Sequence, residues 1–154
     1  MSGCRPFADN LLPAATRVAA ALLCCLLLAS CGFRASRSRA EKAVKEFHAL
    51  LDNARYDLIY DRSDDSLKKS WTRTDFIAYL SDIHSRLGKS GKVSARGFQV
   101  NAIAGQGVEV ALAMETEFER GMAEERFVWR IEGDRAVLVD YRADVRRSTG
   151  PTTV

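Results

Sequence analysis

Four cysteines and two histidines are the residues of this 154-residue chain with the widest chemistry. Thiols serve as nucleophiles, metal ligands or disulfide halves, and imidazoles carry protons near neutral pH. Placement narrows these options. Cys4, Cys24, Cys25 and Cys31 all lie near the N-terminus, so the rest of the chain has neither a disulfide framework nor a cysteine metal site. His48 and His84 stand at the edges of apolar helical stripes, without the His-x-x-x-His spacing that turns two imidazoles toward one metal. Each reads as a partly buried, hydrogen-bonded histidine. The sequence has no Gly-rich phosphate loop and no Gly-x-Ser-x-Gly element. Asp57, Asp61, Asp64 and Asp65 could be assembled into a paired-carboxylate site, but turn and cap positions explain them more simply. Tyr56, Tyr60, Trp71, Tyr79, Trp129 and Tyr141 remain as candidate lining for a pocket that takes a small apolar ligand, with core packing as the plainer account. Nothing in the sequence calls for a metal or a cofactor.

Cys31 carries the most specific signal. Arg5 and Arg17 precede an uninterrupted apolar run, Val18 to Ala29, of 12 residues. That is too short for a bilayer-spanning helix, which needs about 20, and it matches the h-region of a secretory signal. The run ends in Leu28-Ala29-Ser30-Cys31. This tetrad resembles the lipobox of bacterial lipoproteins: an aliphatic residue, two small residues, then cysteine. The resemblance implies that the Cys31 thiol receives a diacylglyceryl group, that residues 1–30 are removed, and that the new N-terminus is acylated, for example with palmitate. The membrane is then a partner through the lipid on Cys31. Two or three acyl chains hold a protein far more firmly than one. Gly32 stands where an aspartate would retain such a protein in the inner membrane, which implies the periplasmic face of the outer membrane.

The elements that must position the remaining residues divide the chain. Residues 31–39 read as a lipidated tether, with Arg34, Arg37 and Arg39 able to meet an anionic leaflet. Ala40, Ala43, Val44, Phe47, Leu50, Leu51 and Ala54 recur at helical spacing and predict a helix over about 40–54. Tyr56 to Tyr60 predicts a short helix or turn, and Ser63-Asp64-Asp65 a helix start. Thr74 is placed to cap a further helix, with Phe76, Ile77, Leu80, Ile83 and Leu87 on one face. Gly88 would close that helix in the left-handed region, and residues 89–92 read as a loop. Beyond this the period drops to two. Phe98, Val100 and Ala102 predict a first strand, and Val108, Val110, Leu112, Met114, Thr116 and Phe118 a second. Phe127, Trp129 and Ile131 predict a third strand, Gly133-Asp134 a hairpin, and Val137, Val139 and Tyr141 the inward set of a fourth. The outward face would carry Glu115, Glu117, Glu119, Arg126, Arg130 and Arg142. Helices first and strands after predict an α+β fold, with helices packed on a roughly four-stranded antiparallel sheet. Residues 144–154 read as a flexible tail.

This order of elements resembles the NTF2-like (cystatin-like) superfamily, whose curved sheet forms a cone. Within it the chain is similar to small secreted bacterial domains of unknown function of the DUF4019 and DUF3887 kind. Ala54-Arg55-Tyr56-Asp57, Leu87-Gly88-Lys89, Thr116-Glu117-Phe118 and the hairpin from Trp129 to Arg135 carry the resemblance, over residues 40–143. It implies a fold more than a task.

Composition bounds the function classes. With 23 basic and 20 acidic residues the charge of +3 does not argue for nucleic acid. At 47% hydrophobic and 28% charged residues the chain is globular. Two classes remain. One is a non-enzymatic binding module in the envelope, acting on an unidentified envelope protein or a small apolar ligand. The other is an NTF2-like enzyme, an isomerase or hydrolase, on a small apolar substrate in the cone. The enzyme needs an inward-facing acid or histidine.

Overall fold

The computed structural model describes the backbone of residues 14–103 and 107–146 and the side chains of 32–103 and 107–146. Two units, Met1–Arg34 and Ala35–Val154, are each compact. In the first, the described backbone is helical from Ala14 onward, as the beginning of α1 (Ala14–Asp52). The lipobox tetrad Leu28 to Cys31 falls in this helix by backbone only, and its side chains lie outside the described residues. Among the described residues, no helix is long and apolar enough to cross a membrane.

In the second unit, α1 continues through the segment expected as a tether. Residues 35–39 contain neither proline nor glycine, and an Arg37–Glu41 pair one turn apart supports the helix at 2.8 Å. The buried stripe runs Ala40, Ala43, Val44, Phe47 and Leu51, the spacing read from the sequence. Leu50 is only partly buried. The helix ends at Asp52, and Ala54 takes a positive φ of 54° in the turn that follows. The Asp52 carboxylate accepts hydrogen bonds from the backbone N–H and the hydroxyl of Ser90, both at 2.8 Å.

Three shorter helices follow: α2 (Tyr56–Asp61), α3 (Asp65–Ser70) and α4 (Arg73–Leu87). The Asp64 carboxylate caps α3 through Ser66 N–H at 2.8 Å. Thr72, rather than Thr74, caps α4. Only Thr72 has an acid three residues on, and it accepts from Asp75 N–H while donating its hydroxyl to the Asp75 carboxylate. Phe76, Leu80, Ile83 and Leu87 form the buried face of α4. Each large apolar side chain so buried contributes about 1.5–3 kcal/mol. Gly88 has the expected positive φ, 78°, but its ψ of −156° is extended, so it leads straight into a strand instead of making a left-handed cap.

The sheet is antiparallel in the order β1-β2-β3-β4: β1 (Ser90–Ile103), β2 (Gly107–Phe118), β3 (Gly121–Glu132) and β4 (Arg135–Arg146). The loop expected at 89–92 is therefore mostly strand. Ser90 pairs with Phe118 and is held by Asp52. Gly133-Asp134 makes the predicted hairpin, with Gly133 at φ 58°. Val110, Leu112, Met114, Thr116 and Phe118 of β2 face the core as their alternation predicts. In β4 the strict alternation fails. Val128 pairs with Asp140 and Trp129 with Leu138, leaving Val139 as an extra residue. This bulge changes the parity, so Leu138 and Tyr141 are both buried while Val137 and Val139 are half-buried. Strand β4 extends to Arg146, past the expected domain boundary, and the tail from 147 lies outside the described residues. The architecture is α+β, helices followed by an open four-stranded antiparallel sheet.

Candidate functional site

Strand β3 turns Ala123, Glu125, Phe127 and Trp129 toward the helices. The alternation that buries Phe127 also buries a carboxylate, and Glu125 is 2% exposed. It is held at 2.8 Å by His48 Nε2 from α1 and at 2.6 Å by the Tyr141 hydroxyl from β4, with the Thr116 hydroxyl of β2 donating to the same carboxylate. Four elements thus supply one closed polar cluster. Phe47, Phe118 and Phe127 pack edge-on against the His48 ring. Burial, then the Glu125 charge, pushes the Tyr141 phenol well above its ordinary pKa. Tyr141 is therefore a fixed donor at any physiological pH. A histidine on a carboxylate could act as a general base. None of the four residues, however, lines either of the two cavities described below. His48 matches the buried, hydrogen-bonded histidine expected of it, although its Nδ1 has no partner among the described residues. Glu125 was not singled out from sequence. Its signal was parity: it lies two residues before Phe127, in phase with the core and not with Arg126 and Arg130.

The six aromatic residues do not converge on a single pocket. Tyr141 belongs to the cluster. Tyr56 bonds its hydroxyl to His84 Nδ1 at 2.6 Å, and burial raises its pKa. Tyr60 donates to the Trp71 carbonyl at 3.1 Å. Trp71 stacks on Tyr79 at 5.2 Å, and the Tyr79 hydroxyl accepts the Ala143 N–H at 2.8 Å. Burial also raises the Tyr79 pKa. These five serve packing and polar satisfaction. Trp129 alone lines a cavity.

That cavity is a slot of about 80 Å³ between α1, α2, β3 and β4. Phe47, Leu50, Leu58, Ile59 and Leu138 form its apolar walls, and Glu46 and Arg62 also line it. It shares Ala43, Glu46, Arg62 and Ala136 with a larger polar groove of about 790 Å³. Three of the groove's cations face acids: Arg39 with Asp134 at 3.1 Å, Lys42 with Glu46 at 3.8 Å and Arg135 with Glu132 at 3.9 Å. Asp64 also lines the groove and is bound by Arg130 at 2.5 Å, while Arg130 holds Glu109 at 3.0 Å across the strand pair. Burial raises the Asp64 pKa, but Ser66 and Arg130 outweigh it, so the carboxyl lies below its ordinary range. Arg130, expected on a solvated outer face, is mostly covered because it joins Glu109 to the α3 cap. Elsewhere that face carries exposed pairs such as Arg146–Glu124 at 2.6 Å and Arg142–Asp140 at 3.6 Å. Such pairs contribute little individually. Among the described residues, no group of three or more His, Cys, Asp or Glu side chains is placed to hold a metal.

The geometry therefore separates a sealed polar cluster from an open cleft with an apolar slot and a charged mouth. No known protein family matches the sequence, and no curated protein matches it.

Proposed function

We propose that this chain is a lipid-anchored bacterial envelope protein whose domain, residues 40–143, is an NTF2-like (cystatin-like) binding module. Residues 1–30 act as the signal peptide and Cys31 carries the lipid. Gly32 directs the protein to the periplasmic face of the outer membrane. The reading of the anchor rests on Leu28-Ala29-Ser30-Cys31 following the apolar run. The observation that favours binding over catalysis is that His48 and Glu125 are 3% and 2% exposed and line neither cavity, whereas the open cleft holds an apolar slot beside charged side chains. A substrate entering that cleft meets no buried acid–histidine pair. The partner is an envelope protein or a small molecule, and nucleic acid is not among the candidates.

The enzyme reading keeps one support, the inward-facing His48–Glu125–Tyr141 set. It requires a motion that opens this cluster to substrate.

Replacement of Cys31 by serine is expected to abolish incorporation of a fatty-acid probe in cells and to leave uncleaved precursor. Unchanged labelling overturns the anchor. Cross-linking in intact cells, followed by identification of the captured species, tests the binding module. Capture of no partner, together with turnover that disappears in a folded Glu125→Gln variant, would make the protein an enzyme.

A further inference from the structure

The two edges of the open sheet are finished differently. Strand β4 is closed to a further strand at two points: Asp64 N–H donates to the Leu138 carbonyl at 2.8 Å, and the Tyr79 hydroxyl accepts the Ala143 N–H at 2.8 Å. The bulge at Val139 interrupts its register, and Asp140, Arg142, Asp144 and Arg146 crowd it with charge. Bulges, charges and covered backbone are the means by which sheets keep other chains off an edge. The first half of β1 has them too. Asp52 holds the Ser90 N–H, the pairing with β2 is irregular between Ser90 and Val93 and between Ala95 and Gly97, and Lys92 and Arg96 supply charge. The second half, Gly97 to Ile103, has none of these. It contains no charged residue and no proline, and it pairs with β2 residue for residue, from Gly97 with Ala113 to Ile103 with Gly107. On its other side, no strand, loop or helix bonds to its backbone among the described residues. Phe98 stands on this stretch at 54% exposure, although Leu112, its partner across the pair, is buried.

A strand added at this edge must match its two faces. Phe98 and Val100 share the face of the buried Leu112 and Val110, with Ala102 in phase, and Gln99 and Asn101 lie on the opposite face. A second copy of the same stretch, antiparallel and centred on Val100, meets both demands. Phe98 then lies opposite Ala102, large against small, Val100 opposite Val100, and Gln99 opposite Asn101. Apolar meets apolar and amide meets amide, the pairings that stabilise adjacent strands. Charge does not oppose the arrangement. Arg96 of each copy falls beyond Ile103 of the other. The two Phe98 rings stand four residues apart, about 13 Å along the strands. The Arg37 guanidinium that lies 4.2 Å over each ring is thus farther than a Debye length of about 8–10 Å from its counterpart. The pairing also ends itself. Both β1 edges are used up, and the edges that remain are the two protected β4 strands, so two copies close where a head-to-tail contact would continue.

We propose that Gly97 to Ile103 of β1 is a self-association edge, at which two copies of this chain pair antiparallel about Val100 and join their sheets into one. No residue of β1 lines the cleft, so each copy keeps its own. The proposal goes beyond the binding-module reading and does not depend on it.

The test uses the full chain purified in density-matched detergent, with its mass measured by sedimentation equilibrium. A dimer is expected. Gln99→Lys combined with Asn101→Lys sets like charges opposite each other at both amide pairs and should weaken the dimer about tenfold or more. Gln99→Glu combined with Asn101→Lys sets opposite charges at the same pairs and should keep it. Gln99 and Asn101 are exposed, and in both variants the lysine at 101 meets Glu109 of β2, so the fold should persist, as circular dichroism checks. Oxidation with copper phenanthroline reads the register. Val100→Cys should give a disulfide-linked dimer, because opposed Cα atoms of antiparallel strands stand about 4.5–5.5 Å apart, within disulfide reach. Gly97→Cys should not, because the two copies of that position lie six residues apart, about 20 Å along the strands. A Cβ at Gly97 meets nothing within 4 Å, so that variant is a fair control. The unsubstituted chain, with its own four cysteines, sets the background. A monomer at every concentration, equal masses for the two charge variants, or cross-linking no stronger at Val100→Cys than at Gly97→Cys overturns the proposal.

Discussion

Glu125 and Trp129 lie four residues apart on the same face of β3, yet the two ends of that strand face have opposite polar fates. At Glu125, side chains from α1, β2 and β4 bring three hydrogen bonds to one carboxylate. At Trp129, the neighbouring walls are mostly apolar and the indole N–H has no acceptor among the described residues. The first end is closed and the second opens onto a cleft. The comparison teaches that burial of a polar group does not itself identify a functional site. The Glu125 carboxylate has its bonding capacity taken up by the fold, while the unpaired Trp129 donor is a cost that the surrounding packing must offset.

The largest expected effect comes from breaking the closed end. Glu125→Ala leaves His48, Thr116 and Tyr141 without their shared acceptor, and removal of one member of such a buried set costs about 3–5 kcal/mol. Urea unfolding followed by circular dichroism measures this, and a loss below about 1 kcal/mol would mean that the cluster is not the tight unit its geometry describes. Trp129→Phe makes the contrast. It loses ring contact but also removes a donor that has no partner, so its cost should be about 1 kcal/mol or less. If Trp129→Phe proved as damaging as Glu125→Ala, the asymmetry between the two ends would be wrong.

A smaller effect is expected at the α3 cap. The Asp64 carboxyl lies below its ordinary range in the folded chain. Its contribution is therefore present above the unfolded carboxyl pKa of about 4 and is lost as pH falls through the lower folded value. Asp64→Asn keeps a capping oxygen but gives up the charge facing Arg130, for about 1 kcal/mol at neutral pH. Stability measured across the acid range should show wild type and variant converging as pH drops. Divergence instead would assign the acid sensitivity to other carboxylates. Arg62→Gln should be the mildest change, within about 0.5 kcal/mol, because an exposed cation with no acidic partner adds little to folding.

Much of this was legible along the chain, and the reasons differ by element. The helical stripe from Ala40 to Leu51 and the alternation from Val110 to Phe118 each report a local period, which depends on one element meeting one core. The Gly133-Asp134 hairpin follows from the backbone freedom of two adjacent residues. Glu125 was not singled out, although parity puts it in phase with Phe127, because a buried carboxylate needs partners that its local sequence does not show. Parity prevailed because His48, 77 positions away, could meet it. The Val139 bulge was not legible either, since it exists only in the pairing of β3 with β4.

The sequence by itself determined the α+β order, the core faces of its strongest helix and strand, and the tetrad ending at Cys31. These are properties of near neighbours, for which spacing is sufficient information. The tertiary structure alone decided that, among the described residues, Glu125 would be satisfied and the Trp129 N–H would not, and that Arg62 would lack an acid while Arg39, Lys42 and Arg135 each face one. Those outcomes depend on which distant side chains arrive within about 3–4 Å, and no local period carries that distance.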